Sequence, residues 1–418
     1  MNMKKKLFAL LAMVMTVMTA SAVSGYTLSV GTSEHGTLTF SVGGEVVETA
    51  AAGDTVVVTV AAEDGYVATA LRGVASTSWG AAKARTRSAI GMVKDFELEG
   101  SGSTWKFEMP AADVEVSADY VISLEVEAEE TQDETKEVED VKLDMEVAED
   151  VPVTTDDLGR TVITVDVESI EMPEETNTEE ITVIVPAEKV VGNTVFKIRT
   201  IKADAFKAPE GSDVVVTKVV LPEAEEPLDI EEGAMKPEGE PIEVVTPLAL
   251  LDDYALMTSL QENFEAVKIS AVATAPNKYW SFSSGVDVVL PDGVKAYTCI
   301  SPNGKDIQII EIQEAELLID GKRVVKANNG VLLGCINEKG GDDYKFVANP
   351  GNQLSGTKPA FGDAKSYGTN LLKPVIADKH YEAGEYLVLK DNEFHPIKDN
   401  ASKVPACKAV LLKPSNMN

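Results

Sequence analysis

Cysteine and histidine are the residue types in this chain that could carry out nucleophilic chemistry. Cys299, Cys335 and Cys407 lie in the last third of the chain, together with His380 and His395. A thiol nucleophile needs a base, usually histidine, within hydrogen-bond reach, but no local catalytic signature surrounds any of the cysteines. Cys335 lies within the apolar run Leu-Leu-Gly-Cys-Ile, which is typical of an inert core thiol. The sequence therefore predicts no catalytic residue and no enzyme.

Other catalytic and cofactor chemistries have little support in the sequence. Zinc needs three or four ligands at compatible spacings, whereas the histidines lie far apart and no Cys-x-x-Cys pair occurs. Glycoside hydrolysis needs two carboxylates across a cleft, and nothing singles out one pair among the 69 acidic residues. Phosphate-binding glycine loops join a strand to a helix, but Gly43-Gly44 and Gly340-Gly341 each separate two strand-like patterns. We therefore expect neither a metal site nor a cofactor.

Aromatic side chains offer a route to ligand binding, because their rings can stack on sugars. Trp79, Tyr279 and Trp280 are the ligand-binding candidates. Trp79 lies in the long insertion 75–102, which is either a binding loop or an ordinary surface loop. Trp105 and Trp280 each precede an alternating strand, so a core position is favoured for both.

Residues 1–22 have the features of a secretory signal peptide. Lysines at positions 4 to 6 precede an apolar run from Leu7 to Met18, and Ala20-Ser21-Ala22 provides a small-residue cleavage site. The apolar run is too short to cross a bilayer comfortably, and no second hydrophobic segment follows it. We expect an exported chain that is secreted, held at the cell surface or retained in the periplasm, and that has no membrane span.

Composition limits the domain count and the partners. The chain has 418 residues, which suggests two to four domains. Its formal net charge of −32 disfavours nucleic acid and anionic membranes, because phosphate binding needs clustered lysine and arginine. The expected partner is an extracellular protein or a glycan. Three cysteines cannot form a disulfide scaffold, and the sequence does not decide which of their possible pairs forms, if any.

The pattern of residues 23–121 predicts a small β domain. Thr37 to Val42 alternates polar and apolar residues, Gly43-Gly44 suits a two-residue hairpin turn, and Thr55 to Val60 is a further strand. Val114, Val116, Ala118 and Tyr120 are expected on one face of a closing strand.

Four motifs of this segment resemble a bacterial surface-protein repeat related to the internalin B-type repeat. They are Gly36-Thr37, Ala52-Gly-Asp-Thr-Val56, Asp64-Gly-Tyr66 and Phe107 to Val116. The resemblance implies a β-grasp-like or sandwich-like unit that serves adhesins as a spacer or binding module. The insertion that holds Trp79 departs from the family's pattern.

Residues 122–155 are predicted to form an acidic linker. Glutamate and aspartate crowd residues 125–140, with Lys136 as the opposing charge there, and like charges in a block repel and extend the chain. Calcium binding is the functional alternative, but a calcium loop needs carboxylates at fixed offsets around a glycine, and the segment has no such pattern.

Residues 156–272 contain a repeated pattern in which an apolar strand ends at proline and an alanine precedes a large apolar residue. The alanine pairs are Ala205-Phe206, Ala234-Met235 and Ala255-Leu256, at irregular intervals. This pattern resembles the degenerate leucine-rich repeats of bacterial cell-surface proteins, and the resemblance implies a stack of short strands with each Ala-Phe packed inward. Because so few copies cannot bury their own faces, we expect them to lean on the flanking strands 161–185 and 267–272.

The last segment, 273–418, is predicted to be a C-terminal β-sandwich. It resembles a module of secreted proteins from gut Bacteroidetes through motifs that occur in the same order: Leu290 to Thr298, Asn352 to Thr357, Tyr386 to Phe394 and Val404 to Leu411. Cys407 stands where that family usually has asparagine. The resemblance implies a fold and the class of proteins in which the module occurs, and it implies no chemistry.

The sequence thus predicts a mainly β, multidomain, non-catalytic bacterial protein that is secreted or associated with the cell surface and acts in adhesion or binding. One alternative is a carbohydrate-binding accessory protein of glycan uptake. The other alternative, which the residues support least, is an enzyme of unknown type.

Overall fold

The computed structural model describes residues 25–76, 93–131, 141–172, 179–210, 212–237, 241–261, 267–319, 321–335, 340–348, 369–398, 403–414 and 417. These residues fold mainly as β-strands, and the chain divides into two compact units after Val121. The predicted fold class, mainly β and multidomain, is confirmed. The predicted signal peptide, residues 1–22, and Trp79 lie outside the described residues.

The first unit is built from ten strands. The last strand continues into the second unit, which begins at Ile122. The strands are β1 (Tyr26–Val30), β2 (Gly36–Val42), β3 (Glu45–Val46), β4 (Thr49–Ala50), β5 (Thr55–Ala62), β6 (Tyr66–Ser76), β7 (Val93–Glu97), β8 (Glu99–Ser101), β9 (Thr104–Glu108) and β10 (Asp113–Val126).

These strands form two sheets around one apolar core. One sheet has the order β3-β2-β5-β9-β8, and the strands β4, β1, β10, β6 and β7 form the other. Gly43 and Gly44 have φ of +59° and +86°, as a tight hairpin turn between β2 and β3 requires. The inward faces supply the core, which includes Val56, Val116 and Trp105. The core position predicted for Trp105 is confirmed, since the residue is 6% exposed.

Two motifs of the first unit meet around one aromatic cluster. A Cβ on Gly36 would lie 2.5 Å from the hydroxyl of Tyr120, so only glycine leaves room for this phenol. Tyr66, which ends the Asp-Gly-Tyr motif, stacks on His35 with ring centroids 3.9 Å apart. Gly36 is therefore required by the packing of the Tyr120 ring, and Tyr66 is held by its stacking on His35.

The predicted acidic linker, residues 122–155, is wrong for the described part of that segment. The end of β10 lies in it, together with β11 (Ala128–Glu130), β12 (Val141–Val147) and β13 (Thr154–Thr155). The reason is that apolar residues alternate with the acidic ones: Leu124, Val126, Leu143 and Met145 are all at most 2% exposed. The charges therefore occupy one face of strands whose other face is buried.

Among the described residues, the first half of the second unit contains eleven strands and three short helices. The strands are β11, β12 and β13 as above, then β14 (Thr161–Glu171), β15 (Glu180–Ile184), β16 (Glu188–Val191), β17 (Thr194–Ile201), β18 (Val215–Val220), β19 (Asp229–Ile230), β20 (Glu243–Thr246) and β21 (Ile269–Thr274). The helices are a 3₁₀ turn (Leu248–Leu250), α1 (Leu251–Leu256) and α2 (Thr258–Gln261).

The chain adds parallel strands alternately to two sheets in this region. In the sheet that we call the groove sheet, β14, β17 and β19 run parallel, with β12 antiparallel to β14 and β16 antiparallel to β17. In the sheet that we call the wide sheet, β15, β18, β20 and β21 run parallel, and β11 pairs antiparallel at one end. The flanking strands thus complete both sheets, as predicted for so few repeats.

The repeated alanine pairs mostly pack inward. Ala205-Phe206 and Ala234-Met235 are at most 2% exposed. The third pair is different, because Ala255 is buried but Leu256 is 52% exposed. Here the fully buried Tyr254 takes the inward position, and its hydroxyl accepts a hydrogen bond from the backbone N–H of Leu228 at 2.8 Å.

The second half of the second unit contains the remaining strands and one short helix. They are β22 (Tyr279–Phe282), β23 (Val288–Val289), β24 (Val294–Ile300), β25 (Gln308–Glu311), α3 (Glu314–Leu317), β26 (Leu318–Ile319), β27 (Lys322–Val325), β28 (Val331–Cys335), β29 (Asp343–Ala348), β30 (Leu372–Val375), β31 (Lys379–His380), β32 (Tyr386–Lys390), β33 (Glu393–Pro396), β34 (Lys403–Val404) and β35 (Lys408–Leu412).

Three layers of sheet pack together in this half. The wide sheet continues through β29, β23, β27 and β26; a central sheet has the order β22-β28-β24-β25, and an outer sheet has the order β30-β35-β32-β33. Phe282 of the central sheet stacks on Phe346 of the wide sheet at 5.3 Å, while Leu332 packs with Leu372 and Leu411 of the outer sheet. Every residue of β28 is buried, because both faces of its sheet are covered.

Candidate functional site

The aromatic candidates do not form an exposed platform in the described structure. Trp280 is 4% exposed and stacks on Tyr344 with ring centroids 5.8 Å apart. Its alternative assignment to the core is therefore confirmed, and burial removes it as a ligand-binding candidate. Trp79 lies outside the described residues.

Tyr279 is half-buried, and its ring packs within the molecule. It meets Tyr297 edge-to-face at 5.4 Å, over Gly334, where a Cβ would lie 2.8 Å from the Tyr297 ring. Lys278 Nζ lies 5.4 Å from the Tyr279 ring centroid, and the Tyr279 N–H donates to Asn392 Oδ1 at 2.9 Å. Tyr279 thus joins the end of β22 to the β32–β33 turn, which is a structural role.

The three thiols are buried. Cys299, Cys335 and Cys407 are all free and buried, so none of the three possible disulfide pairs forms in this structure. Burial raises the pKa of Cys299 and of Cys407 to about 12, and the nearby Asp252 adds to the effect at Cys407. Because the thiolate is the nucleophile, these two thiols are held in their inactive form. His380 and His395 lie on the short strands β31 and β33 and are exposed.

A groove lies on the groove sheet. Its volume is about 910 Å³, and it is open to solvent along one side. Lining residues come from β14, from β17 and from the segment 224–229, which ends at the first residue of β19. The lining side chains are Val151, Thr164, Ala187, Lys197, Ile198, Arg199, Ala224, Glu225, Glu226, Pro227, Leu228 and Asp229.

Arg199, one of the lining residues, is held by two aspartates. Its guanidinium donates to both carboxylate oxygens of Asp166, at 3.1 and 2.8 Å, and to Asp150 at 2.7 Å. Asp166 is only 5% exposed. These hydrogen bonds raise the pKa of Arg199 above its ordinary value, mainly through Asp166, and the hydrogen bond from Arg199 lowers the pKa of Asp150. The groove therefore contains a charged network whose geometry is set before any ligand arrives.

A local irregularity in β14 directs Asp166 toward Arg199. The pairing of β14 with β17 shifts register between Val165 and Asp166, and Val165, Asp166 and Val167 are all buried. Such a bulge changes the direction of a side chain within a strand. An alternating strand pattern does not show this shift, so the sequence of β14 alone does not indicate that Asp166 is buried.

The groove presents both donors and acceptors. Lys197, Arg199 and the Thr164 hydroxyl can donate, while the carboxylates of Glu225, Glu226 and Asp229 accept. The lining contains neither a thiol nor an imidazole. The sequence signal that could have indicated it is Lys197-Ile-Arg199, two cations at alternate positions of a strand in a chain with 69 acidic and 37 basic residues.

Comparison of the chain with protein families, curated proteins and solved structures finds no match. In the part of the chain that the structure describes, no group of histidine, cysteine, aspartate or glutamate side chains is arranged to hold a metal ion. None of the described helices has the length and apolarity needed to cross a membrane.

Proposed function

We propose that this chain is a non-catalytic bacterial protein that is exported and that binds an extracellular partner through the groove on its groove sheet. The observation that carries the proposal is the groove itself. It is a concave site of about 910 Å³ lined by polar and apolar side chains, and its volume is within the range of ligand sites. Thr164, Lys197 and Arg199 lie on the paired strands β14 and β17, so the backbone that carries them is fixed before binding.

Two further observations support binding without turnover. The buried thiols of Cys299 and Cys407 have pKa values of about 12 and lie outside the groove. The guanidinium of Arg199 already forms ion pairs with Asp150 and Asp166. Adhesion at a cell surface is the role that we propose for such a site, with export directed by residues 1–22.

An adhesion assay tests the proposal. Beads carrying the full exported chain are applied to layers of mucin and of extracellular-matrix protein, and the retained fraction is measured. The groove variant is Lys197→Gln with Glu226→Gln, which leaves net charge unchanged. The matched control is Lys295→Gln with Glu311→Gln, an exposed ion pair of 2.9 Å on the central sheet.

We expect the groove variant to lose at least about tenfold in retention, and the control to stay within about twofold of the unchanged chain. Equal retention by all three chains would refute the groove as the binding surface. Export is checked separately by sequencing the N-terminus of the protein recovered outside the cells, which should begin near Val23.

A further inference from the structure

The charges that line the groove restrict the kind of ligand it can take. Resting on the proposed function, we infer that the ligand of this groove is an uncharged oligosaccharide of a few sugar rings. The first reason is size, since about 910 Å³ lies within the range of small-molecule sites, roughly 300–1,000 Å³. The open side lets a longer glycan continue beyond the groove.

A charged ligand would meet like charges in the lining of the groove. An anion would meet Glu225, Glu226 and Asp229, while Arg199 is already paired with Asp150 and Asp166. A cation drawn to those carboxylates would share the groove with Lys197. Like charges at close range are costly in a partly enclosed site. A neutral ligand avoids both conflicts.

Sugar hydroxyls suit the remaining chemistry of the lining. Each hydroxyl both donates and accepts, so it can accept from Lys197 and donate to the carboxylates of Glu225, Glu226 or Asp229. Val151, Pro227 and Leu228 supply apolar surface between these polar groups. The C–H faces of sugar rings can pack on such surface while their edges make hydrogen bonds.

The backbone of the groove does not favour an extended peptide. Peptides often bind by adding a strand to a free sheet edge. However, β14 pairs with β12 and β17, and β17 pairs with β14 on one side and with β16 and β19 on the other. Neither strand can offer a row of free N–H and C=O groups. Recognition in the groove therefore relies on side chains, as it does for a glycan.

An array of neutral oligosaccharides tests this inference on the full exported chain. The array holds two- to four-residue glycans of the common hexoses and N-acetylhexosamines in all usual linkages, and the best binder is then titrated by calorimetry. We expect saturable binding that weakens at least about tenfold in the Lys197→Gln, Glu226→Gln chain and stays unchanged in the Lys295→Gln, Glu311→Gln chain. Circular dichroism confirms that both variants are folded.

Ionic strength provides a second readout. Raising salt shortens the Debye length from ~10 Å at 0.1 M to ~3 Å at 1 M, which weakens charge-driven binding but not binding of a neutral sugar. We expect less than about a twofold change in affinity over that range.

Three outcomes would overturn the inference. In the first, no neutral glycan binds but adhesion still depends on the groove. This result would refute the ligand class and leave the proposed function intact. Another is that a peptide of alternating lysine and glutamate competes in the groove with strong salt dependence. The third is glycan binding that is the same in the groove variant as in the unchanged chain.

Discussion

Tyr254 holds the groove wall in place through one buried hydrogen bond. Its side chain is fully buried, and its hydroxyl accepts from the N–H of Leu228 at 2.8 Å. Leu228 lines the groove next to Asp229. Tyr254→Phe keeps the ring and leaves the Leu228 N–H without its partner. A buried donor without a partner costs about 1–3 kcal/mol, so we expect the free energy of unfolding at neutral pH to fall by that amount.

Alkaline pH provides a second, independent measure of how Tyr254 affects the free energy of unfolding. Burial, the largest cause, raises the pKa of Tyr254 from 10.0 to about 12. The unfolded chain therefore releases this proton first, and folding stability falls as pH rises between the two values. At about 1.36 kcal/mol per pKa unit, the loss from this group reaches roughly 1.3 kcal/mol between pH 9 and pH 11.

Urea denaturation of the unchanged chain and of Tyr254→Phe at pH 7, 9 and 11 measures both effects. The difference in stability between the two chains should shrink by roughly 1.3 kcal/mol from pH 9 to pH 11, because the variant lacks the titrating phenol. As a control, Tyr386→Phe removes a hydroxyl from a half-buried ring outside the groove, with an expected cost below about 1 kcal/mol at neutral pH. A constant difference at all three pH values would refute the buried position of the phenol.

Three other predictions follow from buried groups. Burial, the largest cause, raises the pKa of Asp252, so the folded state binds a proton more tightly and stability should fall as pH rises from the ordinary value through the raised one. Asp252→Asn should remove that slope in urea titrations, and an unchanged slope would contradict the assignment. Cys299 and Cys407 should not react with a thiol reagent at pH 8 in the native chain but should react fully in urea, and rapid native labelling would count against their burial. Gly334→Val places methyl groups against the Tyr297 ring and should cost about 1–3 kcal/mol by thermal unfolding, while an unshifted melting temperature would show that the rings move freely.

Local patterns predicted the strands well where one face is buried. Thr37 to Val42 and Thr55 to Val60 lie within β2 and β5, and the Asp391-Asn392 turn has φ of +51° and +66° between β32 and β33. The linker prediction is wrong because apolar residues alternate with the acidic ones: Leu124 and Leu143 are buried beside charged neighbours. A period of two decides strand formation even in a highly acidic segment.

The groove was harder to predict than the strands. Arg199 and Asp166 are 33 residues apart, and they meet because β14 and β17 are parallel neighbours with a register shift at Asp166. The backbone conformation of Cys407 is a second feature that the sequence pattern does not show. It has φ of +58°, a left-handed conformation that asparagine tolerates better than most residues, so the position where the resembling family has asparagine is a turn position. The resemblances to bacterial repeats and to the C-terminal module stay predictions.

Hydrogen exchange of the full chain, with and without a saturating amount of the best-binding neutral oligosaccharide, tests the central claim most directly. The account predicts new protection at residues 197–201 and 225–230, and recovery of the oligosaccharide with its mass unchanged. Protection confined to other residues, or an oligosaccharide recovered in pieces, would contradict a groove that binds its ligand without transforming it.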